Sequence, residues 1–230
     1  MLLGVIGGLG PMATALFMRY VTELTDAKTD QEHIEMLIHS APSIPDRTAF
    51  ILKKSTLDPR PGMIEVGKGL RAQGADIIAI PCMTAHHFHA ELEREIGLPI
   101  INGIEATAEY LASRGAKKVG IAATEGSVKT GLFQNALIKA GVEPLTLSKE
   151  GQSIVTDTIY KEIKAGMAPD MERFSLVTKE YKQMGADAMI LGCTELSLLP
   201  EDGLEEGFHA DAMKILARRA VLAAGKELAK

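Results

Sequence analysis

At 230 residues, with 46% apolar and 4% aromatic side chains, the chain is long enough to bury one ample core or two modest ones. A formal charge of −5 and a pI near 5.7, with no dense run of Lys or Arg, disfavour a nucleic-acid surface and leave a small molecule as the expected partner. The apolar start Met1-Leu-Leu-Gly-Val-Ile has no basic leader and meets Gly10-Pro11 too soon for a membrane span, so a cytoplasmic protein with reduced thiols is expected, and no membrane partner.

Leu2 to Gly7 reads as a buried strand that runs into the glycine turn Gly8-Leu9-Gly10-Pro11, with a helix following from Ala15. Ile34 to His39 reads as a second strand, and two prolines make Ala41 to Thr48 an irregular loop with Arg47 near its end. A helical pattern covers Gly62 to Gln73. Gly74-Ala-Asp76 and the apolar run after it then predict a strand ending at Pro81-Cys82. A helix over His87 to Glu95, a strand at Leu98 to Ile101, a turn at Asn102-Gly103 and a helix to Ser113 complete the first half.

The same grammar then restarts. A strand near Val119 leads through Thr124-Glu-Gly126 to a helix over Val128 to Ala140, and a short strand spans Pro144 to Leu147. Helices over Ser153 to Ala165 and Asp170 to Met184 precede Gly185-Ala-Asp187 and a second apolar strand ending at Gly192-Cys193. A polar loop and a helix over Ala210 to Leu228 close the chain. Gly4 matches Gly120, Gly10 matches Gly126, Thr14 matches Thr130, and Cys82 matches Cys193. The cysteine pair falls in a slightly shorter register, so one half carries a short deletion. The expected fold is two pseudo-symmetric three-layer α/β domains with parallel sheets and an active-site cleft between them. Residues 1–101 with 211–230, a returning C-terminal helix, form one domain, and residues 102–210 form the other.

Cys82 and Cys193 are the chain's only cysteines. Each sits at the carboxyl end of a predicted parallel strand, where open α/β sheets bind ligands. A thiol there can be tuned toward working pH, and two thiols on opposite faces of a tetrahedral carbon can remove a proton and return one with inversion. With each sulfur about 3.5 Å from the reacting carbon, such a pair stands too far apart for a disulfide. The alternatives are two buried hydrophobes, or a metal site built from Cys82, His86, His87 and His89, which the second half does not echo. Gly8-x-Gly10-x-x-Ala13 also fits a relaxed dinucleotide fingerprint, but no acidic residue ends the second strand. Those glycines either present backbone N–H groups to a substrate carboxylate or serve only as a turn.

The segments Gly7-Gly-Leu-Gly-Pro-Met-Ala-Thr14, Pro45-Asp-Arg-Thr48, Pro81-Cys-Met-Thr-Ala-His86 and Leu191-Gly-Cys-Thr-Glu195 resemble the aspartate/glutamate racemase family, whose members work without pyridoxal phosphate. The resemblance spans nearly the whole chain. It implies an isomerase without a cofactor or metal, with Cys82 and Cys193 as the catalytic acid and base in the interconversion of L- and D-aspartate. It also implies substrate binding by Gly8, Arg47, Thr48, Met83, Thr84, Thr124, Lys164 and Thr194, an acidic amino acid as substrate, and a homodimer. Lys161 is a second choice for Lys164. Arg47 would offer a planar bidentate fork and Lys164 a point charge.

The chain departs from the family at Met83, where an asparagine is usual, at Leu9, a common methionine, and at Phe208-His209-Ala210, where Phe-Asp-Thr is frequent. Alternatives in the same family are a glutamate or broader racemase and an enzyme like maleate isomerase or hydantoin racemase. Outside catalysis, Met83 and His209 motivate an amino-acid-binding module. Glu195 either orients its neighbours or serves on the surface as a cap.

Overall fold

The computed structural model describes residues 1–205 and 207–229; Glu206, in the polar loop expected before the last helix, and Lys230, at the end of the expected returning segment, lie outside the described residues. The chain divides into two units, Met1–Gly103 with the segment from Met213 onward, and Ile104–Ala212. Each is built on a parallel sheet.

In the first unit the order is β2-β1-β3, with β1 (Leu3–Gly7) between β2 (Met36–Ser40) and β3 (Ile77–Ala79). Every residue of β1 is buried, as a central parallel strand covered on both faces requires. Helix α1 (Pro11–Leu24) starts with a proline, whose missing N–H is harmless in the first turn. Part of the expected loop is helical. Asp46 accepts the Ala49 N–H at 2.7 Å and so caps the short α2 (Arg47–Ile51), a signal the two prolines obscured. Helix α3 (Arg60–Ala72), a 3-10 helix over Met83–Phe88 and α4 (His89–Ile96) follow. The strand expected at Leu98 to Ile101 shrinks to a parallel bridge between Ile78 and Ile100. Pro99 can accept from the Ile78 N–H, at 2.9 Å, but has no N–H to extend the ladder. The core gathers Ile6, Met63, Leu70, Ile78, Ile80, Leu92 and Ile96.

Helix α5 (Gly103–Ser113) leads into the second unit, whose sheet has the order β5-β4-β6-β7. Here β4 (Lys118–Ala122) lies between β5 (Glu143–Leu145) and β6 (Ala188–Leu191), and β7 (His209–Asp211) pairs with β6 through Ile190 and Ala210. The final helix expected from Ala210 therefore begins later, as α10 (Ala212–Ala223), because the preceding residues are drawn into the sheet. The helix expected over Val128 to Ala140 is broken at Gly131 (φ 69°) into α6 (Glu125–Thr130) and α7 (Leu132–Lys139). Helix α8 (Lys149–Asp157) continues into a π-helical stretch, Thr158–Ile163, and α9 (Met171–Gln183) is capped by Asp170. Val155, Phe174, Val177, Tyr181, Met189 and Leu196 share its core.

The repeated Gly-Ala-Asp has a physical explanation. Gly74 (φ 95°) and Gly185 (φ 79°) leave their helices in the left-handed conformation that glycine adopts without strain. The N–H groups of Ala75 and Ala186 return to the carbonyls of Leu70 and Tyr181, closing α3 and α9 with the same C-terminal motif. Asp76 then accepts the Leu2 N–H at 2.7 Å, and Asp187 accepts those of Lys117 and Lys118 at 2.7 and 2.9 Å. Each aspartate thereby ties its cysteine strand to the start of the central strand.

Candidate active site

Beyond β3, the Cys82 N–H donates to the Ile80 carbonyl at 2.7 Å, and the Cys82 carbonyl accepts from the Ala85 N–H at 3.1 Å. The chain therefore turns sharply at the cysteine. In the second unit the Gly192 N–H donates to the Ala122 carbonyl at 2.7 Å, and the Leu196 N–H to the Cys193 carbonyl at 2.9 Å. Both cysteines are free thiols with 6% exposure, each on the residue that opens such a turn.

Cys193 stands in a built polar environment. Its thiol donates to Glu195 Oε2 at 2.8 Å, Thr194 Oγ1 lies 3.5 Å from the same oxygen, and Lys164 Nζ lies 3.5 Å from Glu195 Oε1. Glu195 is itself 5% exposed. Burial pushes the Cys193 thiol well above its ordinary pKa; the negative charge of Glu195 adds to this and the Lys164 ammonium opposes it. The arrangement keeps Cys193 protonated, with its proton directed at a carboxylate. Nothing in the residue order distinguishes Glu195 from a surface cap, and only the turn that buries it reveals the contact.

Of the two candidate lysines, Lys164 follows the π-helical stretch and packs its ammonium 4.9 Å from the Tyr160 ring centroid, besides pairing with Glu195. Lys161, 75% exposed, pairs with Asp157 at 2.7 Å.

Arg47 is 6% exposed, and its guanidinium holds the glycine loop: Nη2 donates to the Leu9 carbonyl at 2.5 Å and Nη1 to that of Pro45 at 3.1 Å. Thr48, next to it in α2, is also buried. The Gly8 N–H donates to Thr14 Oγ1 at 2.9 Å, and a Cβ on Gly8 (φ 84°) would meet the Ala41 nitrogen at 2.3 Å. The turn's own construction requires a glycine at this position. Met83 and Thr84 are buried at the start of the 3-10 helix, with Met83 at 1% exposure. Thr124 accepts the Ser127 N–H as the cap of α6.

Two of the histidines expected as possible metal ligands, His86 and His89, have other engagements. His86 lies 3.1 Å from the Cys82 carbonyl through Nδ1, and its Nε2 accepts the Gly103 N–H at 3.1 Å. His89 Nε2 lies 2.8 Å from the Ile100 carbonyl. Among the described residues, no group of three or more His, Cys, Asp or Glu side chains is placed to hold a metal ion. A carboxylate does stand near the end of β7 despite the departure at His209-Ala210: Asp211 Oδ1 accepts from Ser197 Oγ at 2.7 Å. Asp211 follows directly after the Phe208-His209-Ala210 motif the sequence points to.

A family model described as Asp/Glu/Hydantoin racemase matches residues 6–220. The broad specificity amino-acid racemase RacX of Bacillus subtilis (strain 168) is 26% identical over 230 residues, covering 96% of each chain. The structure of Picrophilus torridus aspartate racemase is 27% identical with a TM-score of 0.83, covering 100% of this chain and 96% of that one. A glutamate racemase of Aquifex aeolicus (strain VF5) is 29% identical over 146 residues, 60% of this chain and 53% of its own. No helix among the described residues is long and apolar enough to cross a membrane.

Proposed function

The chain belongs to the Asp/Glu/hydantoin racemase family, and from that premise we propose that it interconverts amino-acid enantiomers by a cofactor-independent proton transfer between Cys82 and Cys193. The observation that carries the reading is the buried Cys193 thiol donating to Glu195 Oε2 at 2.8 Å, in the turn that mirrors that of Cys82. A buried S–H at the end of a parallel strand is a proton donor in waiting.

In the direction that uses this state, a Cys82 thiolate takes the α-proton as the Cα–H bond breaks, and the electron pair is delocalised into the substrate carboxylate. Cys193 then gives its proton to the opposite face of Cα. The products are the other enantiomer, a Cys82 thiol and a Cys193 thiolate, so atoms and charge balance without oxidant or reductant. The reverse direction restores the starting pair. Developing negative charge on the carboxylate calls for aimed donors and cations in a site shielded from water.

Aspartate is the first substrate in this reading, because Arg47 and Lys164 are the cations nominated for a second carboxylate. A broader range is the second reading, favoured by a specific observation: at Met83 the chain presents a buried thioether in place of the usual amide. Likeness to a broad-specificity racemase supports the same view. A homodimer in the cytoplasm belongs to both readings.

The test is incubation in D2O with L-aspartate, L-glutamate and a panel of basic and neutral L-amino acids, followed by chiral separation and mass measurement at Cα. A D-isomer carrying α-deuterium, lost in both Cys82→Ala and Cys193→Ala, is the expected outcome. An unlabelled panel, or full turnover in either variant, would sink the two-thiol reading.

A further inference from the structure

His86 and Ser197 occupy equivalent places, each four residues after its cysteine, and each reaches across to the next segment of its own unit. In the first unit, Nε2 of His86 lies 3.1 Å from the Gly103 nitrogen, whose N–H can only donate, and 3.3 Å from the Ile101 carbonyl; the shorter contact makes Nε2 an acceptor. That assignment leaves the proton of the neutral ring on Nδ1, which donates to the Cys82 carbonyl at 3.1 Å. His86 is 5% exposed, and burial holds its pKa down near 4, so the neutral form is the one present. One ring thereby joins the peptide of Cys82 to the first residue of α5.

Ser197 makes the matching link in the second unit. Its Oγ donates to Asp211 Oδ1 at 2.7 Å, at the end of β7. The counterpart of β7 in the first unit is the Ile78 and Ile100 bridge, three residues before Gly103. In both halves the turn carrying the thiol is therefore pinned to the point where the fourth position of the sheet gives way to a helix. The donors and acceptors differ, but their placement is the same.

We infer that His86 is a positioning residue for Cys82, and that Ser197 plays the same part for Cys193. The inference rests on the proposed proton transfer for its consequence in turnover and on the two hydrogen-bond paths for its geometry. A thiol that must meet a Cα–H along its axis tolerates little drift, and a 1 Å displacement costs about 10²-fold in rate. The Cys82 turn has local backbone bonds to Ile80 and Ala85. His86 adds the link from its peptide to α5.

The experiment combines kinetics with competitive iodoacetamide labelling of both cysteines, read by peptide mass spectrometry. In His86→Ala, kcat falls about 10²-fold with KM changed less than about threefold, and the Cys82 labelling rate changes while that of Cys193 does not. In Ser197→Ala the labelling pattern reverses. His86→Asn, which keeps a short N–H donor toward the Cys82 carbonyl, regains most of the turnover, whereas His86→Gln, which can reach Gly103 alone, does not. Asn also covers the case in which the alanine variant fails to fold.

Equal labelling changes at both cysteines in each variant, or rescue by Gln and not Asn, would overturn the inference, because either result marks His86 as general packing. Labelling is measured without turnover. A wild type that racemises no amino acid would therefore defeat the functional reading alone, and selective labelling changes would still support the tethers.

Discussion

Glu195 shows how a single side chain sets the state of the proposed acid. Its carboxylate takes the Cys193 proton's direction at 2.8 Å and balances its own charge against Lys164 at 3.5 Å. Burial, the Glu195 charge and the Lys164 charge act on the thiol in that order, the first two raising its pKa and the third lowering it. Replacing Glu195 by Gln removes the second influence and leaves the first, so Cys193 ionises at lower pH than in the parent while remaining above an ordinary thiol. Replacing Lys164 by Met removes the larger of the two opposing influences, the other being the Glu195 backbone N–H, and Cys193 ionises at still higher pH. Both shifts are measurable from the pH dependence of iodoacetamide labelling in a Cys82→Ala background, where Cys193 is the sole thiol. In the parent enzyme, Glu195→Gln should lower turnover by roughly 10²-fold, the scale of a positioned proton-transfer group. Shifts in the same direction for both variants would exclude the electrostatic account.

Helix packing on each sheet explains why the repeat keeps its glycines. Gly4 in β1 and Gly120 in β4 lie beneath α3 and α9, so a methyl group at either place enters a helix-to-sheet contact. At Gly120 an added Cβ would stand 2.4 to 2.7 Å from Tyr181 ring atoms, and Tyr181 is pinned because its hydroxyl donates to the Ile121 carbonyl at 2.6 Å. At Gly4 the nearest atom, 2.6 Å away, is the Cδ1 end of the Ile78 side chain, and the next, Ala75 Cβ, stands at 3.0 Å, so the added methyl meets one flexible end and one lighter contact instead of a pinned ring. Gly120→Ala should therefore destabilise the protein by about 3 kcal/mol, the upper range for overpacking, and Gly4→Ala by nearer 1 kcal/mol. Urea midpoints of the two variants would check the order, and equal losses would contradict the rigid-ring argument. These helices and the buried strands were legible because apolar period and turn residues act locally. Strand β7, helix α2 and the shrinking of the Leu98 to Ile101 strand to a bridge at Ile100 were not. The bridge and β7 exist only by pairing with a neighbour in the sheet, and the cap at Asp46 was masked by prolines that suggested irregular chain.

The two-unit organisation was legible from the duplicated Gly-Ala-Asp motif, and so were the two cysteine strands, although β3 stops at Ala79 and β6 at Leu191, short of the cysteines where the apolar runs had placed their ends. What surrounds the thiols was not, because Glu195, His86 and Asp211 gain their partners only when turns and strand ends come together. Burial of His86 also gives the whole molecule a distinctive acid response. Its pKa is about 4 in the fold against an ordinary 6.5, so the unfolded chain takes up the proton first. Stability is then complete above about pH 6.5 and falls as pH drops toward 4, levelling off after a loss of about 3 kcal/mol. His87 and His209, also lowered by burial, act with the same sign below the ordinary histidine value. The carboxylates act lower down. Asp58 is held below its ordinary value by Arg60, Asp157 by Lys161 and Arg173, and Asp187 by the N–H groups of Lys118 and Lys117. Their contribution is present above the ordinary value of 3.8 and is lost as pH falls through their lowered ones. Urea denaturation between about pH 7 and 4 should therefore show a declining midpoint, and His86→Asn should flatten most of that decline while leaving the carboxylate limb in place. A slope unchanged in His86→Asn would assign the acid sensitivity to His87 and His209 and show that the ring in the Cys82 turn protonates without cost to the fold.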